Sequence, residues 1–177
     1  QMGLLITFFA ITQALAYLPG GWLVDLVPVK YLMPVGLIGT GLLGFWEATF
    51  PSYQVLLVIQ MGYGLVITLM FWDAMIKGTR MLAADHAQGK IFGMLEGVRG
   101  ACATAASFGG VYFFSKMGEG MNGLRSVMLY YATILCVVGV LVFLFMEKNE
   151  VEGKVNARQA LGGLVQVAKL PKVWLAG

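Results

Sequence analysis

Charged residues fall in separated clusters along this chain, and the stretches between clusters are apolar at membrane-spanning length. No Asp, Glu, Lys or Arg occurs in residues 1–24, 31–46, 53–72, 100–115 or 126–146. A helix rises ~1.5 Å per residue, so a hydrocarbon core of ~30 Å takes about 20 residues to cross. The two shortest runs, 31–46 and 100–115, reach that length only if one charged end lies within the membrane. The pattern predicts five spanning helices, at about 2–24, 31–50, 53–76, 89–114 and 124–146. Polar residues return over 147–172, and a new apolar run, the start of a further transmembrane helix, begins at 173–177 after Pro171. Residues 1–24 are apolar like a signal peptide but have no basic n-region and exceed an h-region in length. The chain starts at Gln1 and stops inside an apolar run, and is read as a piece of a longer protein.

Composition narrows the fold class. The chain is 59% hydrophobic and 12% charged, against about 25% charged in an ordinary soluble domain. The expected class is all-α: a polytopic α-helical membrane protein. Lys and Arg in short loops mark the cytoplasmic side. Lys30 follows the first span; Lys77, Arg80 and Lys90 follow the third; Lys148, Lys154, Arg158, Lys169 and Lys172 follow the fifth. Only Lys116 and Arg125 lie on the opposite side, and Arg99 lies inside a span. The start is therefore expected outside, and the 147–172 loop in the cytoplasm. The net charge of +3 comes from this bias and suggests no nucleic acid. In the loop, Ala157, Leu161, Leu164, Val165 and Ala168 fall at helical spacing behind Asn156. They fit an amphipathic helix on the inner leaflet, or else a solvated linker. Cys102 and Cys136 lie deep in predicted spans and the single His, His86, lies in a polar linker, so no metal or disulfide framework is expected. No nucleotide-binding loop is present, and no cofactor is expected.

The short turn "GGWLVDLVPVKYLM" (20–33) joins the first two spans. Gly21, lacking a side chain, lets another helix approach. Asp25 can meet the N-terminal end of a neighbouring helix, where the backbone dipole favours an anion. Such a contact would hold the cytoplasmic side shut in one state and break in another; alternatively, Asp25 merely keeps the turn in water. The turn resembles the signature G-x-x-x-D-[RK]-x-G-[RK]-[RK] between the second and third helices of the major facilitator superfamily of secondary transporters. Gly21, Asp25 and Lys30 match it, and Leu26, Pro28 and Val29 differ. "IQMGYG" (59–64) resembles the family's fourth-helix motif without its Arg. "AQGKIFG" (87–93) resembles the opening of the fifth helix, with Gln88 in place of Arg. "AASFGG" (105–110) resembles the fifth-helix antiporter motif, with Ala105 and Ala106 in place of Gly and Pro. The stretch 71–100 further resembles a bacterial subgroup of the family. The resemblance implies a partial six-helix half, helices two to six of twelve, with the first helix and the C-terminal half of the same protein supplied elsewhere. It implies secondary active transport of a small solute across the inner membrane by alternating access, with a coupling proton or counter-solute, and no enzyme activity. It implies a gating role for Gly21, Asp25 and Lys30.

Within the fourth predicted span, Glu96 and Arg99 are charges among small apolar residues. Gly89, Gly93, Gly97, Ala101, Ala105 and Gly109 recur every four residues, a stripe that lets helices pack backbone to backbone. Arg99 points about 200° away from Gly97 on the wheel, and ten residues past Gly89 it is about 15 Å into the membrane. A charge there costs at least ~2.5–3.5 kcal/mol facing lipid, so it is expected to face protein or a water-filled cavity. Glu96, one turn earlier, can reach it. The two are either a permanent structural pair or solute-binding groups on a central cavity, suited to a polar or anionic solute at the midplane. Gln13 and Gln60 can likewise hydrogen-bond either a solute or another helix. Asp73, Lys77 and Arg80 at the inner end of the third span read as an interfacial charge network, or else as a binding site, and Asp73 and Arg80 are assigned to gating. Trp46 beside Glu47, and Trp22 and Trp72, read as interface anchors. The rival class is a non-transporting membrane-embedded sensor or enzyme subunit, for which no nucleophile–base set is visible.

In a background without Cys102 and Cys136, a cysteine at Ser52 or Asn122 is expected to react with impermeant thiol reagents on intact cells. One at Ala87 is expected to react only after the membrane is opened; labelling of Ala87 from outside would reverse the orientation.

Overall fold

The computed structural model describes residues 2–82, 88–118 and 120–147. The amphipathic segment expected at 157–168, His86, and the apolar start at 173–177 lie outside the described residues. Helices α1 (Met2–Leu26), α2 (Val29–Glu47), α3 (Tyr53–Val66), α4 (Asp73–Leu82), α5 (Gln88–Lys116) and α6 (Met121–Phe145) follow in order, and a π-helical stretch, Ile67–Trp72, joins α3 to α4. No strand occurs among the described residues. Three segments are long and apolar enough to cross a membrane: Val29–Glu47, Tyr53–Met81 and Met121–Phe145. A fourth joins Met2–Tyr17 to Pro19–Leu26 across a 53° bend. Pro19 accounts for the bend, because it removes one helical N–H and its ring crowds the carbonyl four residues back. The helix α5 is 29 residues long but stands outside that apolar set, carrying Lys90, Glu96, Arg99 and Lys116 among many glycines.

The helices pack through small residues, as expected where lipid removes the usual hydrophobic drive between helices. On α1, Thr12, Ala16, Gly20 and Val24 are buried at four-residue spacing; Thr12 lies against Gly64 of α3, and Gly20 against Leu69 of the π-helical stretch and Asp73. A Cβ added at Gly64 would stand 2.8 Å from the Phe9 carbonyl oxygen, and one at Gly20 would overlap the Asp73 carboxylate. The central helix is α2. One side of it meets the π stretch, where a Cβ at Gly36 would come within 2.9 Å of the Phe71 nitrogen. Its other side meets α6 in the most extensive pairing of the structure. There Gly41 lies under the Ala132 carbonyl and Gly139 faces Ile38. At the inner end, Val24, Val29, Leu32 and Ala74 form a buried cluster that locks the end of α1, the start of α2 and α4 together, with Met146 packed against it.

The stripe on α5 behaves differently along its length. A Cβ at Gly89, Gly93, Gly97 or Gly100 would meet nothing within 4 Å, whereas Gly109 and Gly110 pack against the hydroxyl ends of Tyr130 and Tyr131 on α6. Only the outer third of the expected seam is used by the described residues. The α5–α6 turn needs glycine: Gly118 and Gly120 have φ of 88° and 111°, conformations an L side chain rarely takes.

Gly41→Val is expected to destabilise the full-length protein by about 1–3 kcal/mol through overpacking against Ala132, while Gly93→Ala is neutral. Thermal unfolding in detergent checks this; equal tolerance at both positions would remove the α2–α6 contact as a determinant of stability.

Candidate functional site

The chain folds so that the last turn of α1 and the whole of α4 face each other at the end that the basic residues assign to the cytoplasm, the inner end. Helix α1 ends there with carbonyls that lack helical partners, the negative pole of its dipole. Asp25, in the same last turn, adds a full negative charge. Lys77 on α4 answers both: its Nζ donates to Asp25 Oδ1 at 2.7 Å and to the Val24 carbonyl at 3.1 Å. The Lys77 side chain is 18% exposed and that of Asp25 43%, so the pair sits at a wet edge rather than in the dry interior.

This pair borders a cavity of about 630 Å³ whose wall includes Gly21, Asp25, Asp73, Lys77 and Arg80. Four of the five residues that the sequence assigns to gating therefore share one cavity. Lys30 is not in its wall and has no ion-pair partner among the described residues. Asp73 is the unusual member. Its Oδ2 is buried against Gly20 with no hydrogen-bond partner among the described residues. It follows directly on the π-helical stretch; such stretches are frequent at functional sites. The close approach expected at Gly21 is made by Gly20 instead, and Gly21 faces open space.

Glu96 and Arg99 form a pair on α5. Arg99 Nε donates to Glu96 Oε2 at 3.1 Å and Nη2 donates to the same oxygen. Both side chains are half exposed among the described residues. The guanidinium lies 5.5 Å from the centre of the Trp72 ring, a cation–π distance, so Trp72, expected as an interface anchor, supports Arg99. Gln60 lies at the opposite, outer end, where it donates to Glu47 Oε1 at 3.4 Å beside a Tyr63 hydroxyl that donates to Oε2 at 2.9 Å. Gln13 lies on α1 where that helix crosses Gly64. The four solute-binding candidates are thus spread over three places, with only Glu96 and Arg99 in contact. The sequence placed Lys77 in a charge network with Asp73 and Arg80 and passed over Glu47 as a partner of Tyr63; only the crossing of α1 over α4, and of α2 over α3, makes the Lys77–Asp25 and Tyr63–Glu47 pairs.

The chain matches the family model of the Major Facilitator Superfamily over residues 1–176. It is similar to "Inner membrane protein YqcE" of Escherichia coli (strain K12), 27% identical over 179 aligned positions that cover 98% of this chain and 42% of that protein. It is also similar to "Inner membrane protein YihN" of the same strain, 29% identical over 156 positions covering 85% and 37% respectively. The chain spans less than half the length of these curated relatives. No solved structure matches it significantly.

Asp25→Asn and Lys77→Met are expected to couple by about 0.5–1 kcal/mol in a double-mutant cycle on thermal unfolding, at the modest level of a partly exposed pair. Strict additivity would mean that the two side chains do not interact in the full-length protein.

Proposed function

The chain belongs to the Major Facilitator Superfamily, and from that premise we propose that its parent protein performs secondary active transport of a small polar or anionic solute by alternating access. Family membership makes it a multi-pass membrane protein with a transporter's role, and its relatives are bacterial inner membrane proteins. The specific reading rests on one observation: a breakable ion pair, Asp25–Lys77, spans α1 and α4 at the mouth of an inner-end cavity. A pair at a wet edge is suited to a gate, because water can replace either partner when the helices part. A dry pair would resist separation, since each stranded charge costs several kcal/mol. In this reading Gly21, Asp25, Asp73, Lys77 and Arg80 form the inner gate with Lys30 in the turn outside its cavity, α5 spans the membrane, and the 147–172 loop lies in the cytoplasm. The first helix and the C-terminal half of the same protein complete the pathway. A coupling proton or counter-solute drives it.

Arg99 is the residue through which this protein would hold an anion. Glu96 fixes one edge of the guanidinium and Trp72 supports its face. The remaining N–H groups are free to fork onto a carboxylate or phosphate. Gln13 and Gln60 would serve as neutral hydrogen-bonding contacts along the path.

Arg99→Lys keeps the charge and loses the planar fork. In proteoliposomes of the full-length protein, it is expected to cut counterflow of small organic anions about tenfold, the equivalent of ~1.4 kcal/mol, while the protein still accumulates. The double change Glu96→Gln with Arg99→Gln separates the roles. Normal accumulation without transport supports binding by Arg99; normal transport makes the pair purely structural.

A further inference from the structure

We propose that Asp73 is a proton-binding site that controls the inner gate: the α1–α4 seam closes on the neutral carboxylic acid and parts when the proton leaves. The proposal rests on the gating reading of Asp25 and Lys77 and names the ligand that sets the gate.

Asp73 opens α4 directly after the π-helical stretch and stands in the wall of the inner-end cavity. Its Oδ2 is buried in the seam against Gly20 of α1, without a hydrogen-bond partner among the described residues. A Cβ at position 20 would overlap this oxygen, so α1 closes directly onto the carboxyl group.

The charged groups around Asp73 do not answer it. On α4, Lys77 donates to Asp25 and to the Val24 carbonyl of α1. Arg80 shares the cavity wall but makes no ion pair with Asp73. Lys30, at the start of α2, lies outside that wall. On α5, Arg99 bonds Glu96 and lies over Trp72, the residue before Asp73. An ionised carboxylate with an oxygen buried and undonated is an uncompensated charge, and neutralising the group removes that cost. A proton also fits where Oδ2 packs on Gly20, because it adds no ligand shell. A metal ion would need one, and no group of three His, Cys, Asp or Glu side chains able to hold a metal occurs among the described residues.

Thr68 is the second sign that this seam is unsettled. Thr7, Thr12, Thr40, Thr79, Thr104 and Thr133 each donate to the carbonyl four residues back. Thr68, in the π stretch, is fully buried, and its hydroxyl has no partner among the described residues. Gly64 packs on Phe9 and Thr12 of α1, and Asp73 on Gly20. Thr68 falls between them, four residues after one and five before the other, the steps of one α turn and one π turn. The two unpartnered oxygens thus share the row of this helix that meets α1. Buried polar groups are normally satisfied; two left unsatisfied on one row suit a contact that is made and released.

Closing takes one proton from water in the inner cavity onto Asp73, and opening returns it. Since the closed seam binds the proton, low pH favours it and rising pH opens it. Protonation of Asp25 would act in the opposite sense, breaking its pair with Lys77 as pH falls.

The test uses the full-length protein without Cys102 and Cys136, carrying Val24→Cys, a smaller side chain at a buried position in the seam. Its rate of maleimide labelling is normalised at each pH to that of the protein unfolded in SDS. The expected result is a severalfold rise in rate with pH, in a one-proton step. Asp73→Asn and the smaller Asp73→Ser should both lose the step and stay slow throughout. In pH-difference infrared spectra, a protonated carboxyl band should titrate over the same range and be absent from both variants. A step that persists in both variants overturns the proposal, as does a rate that rises as pH falls. A wild-type protein with no titrating carboxyl band overturns it without any variant. Asp25→Asn at fixed pH reports on the gate separately: faster labelling supports the gate, and unchanged labelling sinks that reading, while the infrared band still decides whether Asp73 carries the proton.

Discussion

An ionic group below the headgroups has little water to turn to, and several charges in this bundle are held by a partner. Lys77 reaches across from α4 because the end of α1 offers both a carboxylate and an orphan carbonyl, two acceptors for one ammonium. Arg99 finds Glu96 on its own helix and Trp72 on the next. Glu47 finds a hydroxyl and an amide. Among the described residues, Asp73 is the carboxylate that keeps a buried oxygen without a donor. The helix crossings serve these contacts: α1 meets α4 at the inner end and α2 meets α3 at the outer end.

Glycine and alanine make those crossings possible. Side-chain reach is short compared with helix diameter, so an ammonium spans two helices only where their backbones lie close. Gly20 and Gly64 bring α1 onto α3 and its π-helical extension, while Gly36 and Gly41 place α2 between that extension and α6. The bundle therefore has a tight centre of α1, α2, α3 and α6. Helix α5 joins it mainly through Gly109 and Gly110 under the tyrosines of α6 and through Arg99 over Trp72.

The fold class was legible because lipid imposes a simple rule on sequence: long charge-free runs separated by charged turns. Helix ends were less so. The apolar run from residue 53 stops at Trp72, yet the helical backbone continues to Leu82, because hydropathy marks where lipid ends and not where hydrogen bonding ends. A four-residue glycine spacing told which residues share a face of α5 but not what covers that face. The better-packed stripe, Thr12–Ala16–Gly20–Val24 on α1, was hidden because Thr and Val do not stand out as small. Gly21, Asp25, Asp73 and Arg80 were legible as members of one charged end, through a motif-like turn and a cluster beyond a span. Their geometry was not: Asp25 and Lys77 are brought together by a tertiary crossing, whereas along the sequence Lys77 stood only in a network with Asp73 and Arg80.

The π-helical stretch Ile67–Trp72 has a consequence for how this helix can change over evolutionary time. A π turn holds one residue more than the α turn it replaces, so it is a place where an added residue can be absorbed without breaking the rod. Upstream of it sit Gln60 and Tyr63 with the outer carboxylate; downstream sit Asp73, Lys77 and Arg80 with the inner cavity. Losing one residue there would restore the α pitch and leave the downstream half facing nearly as before, so Lys77 would keep Asp25 within reach. The joint is thus a place where the helix can change length by one residue while both ends keep their facing partners.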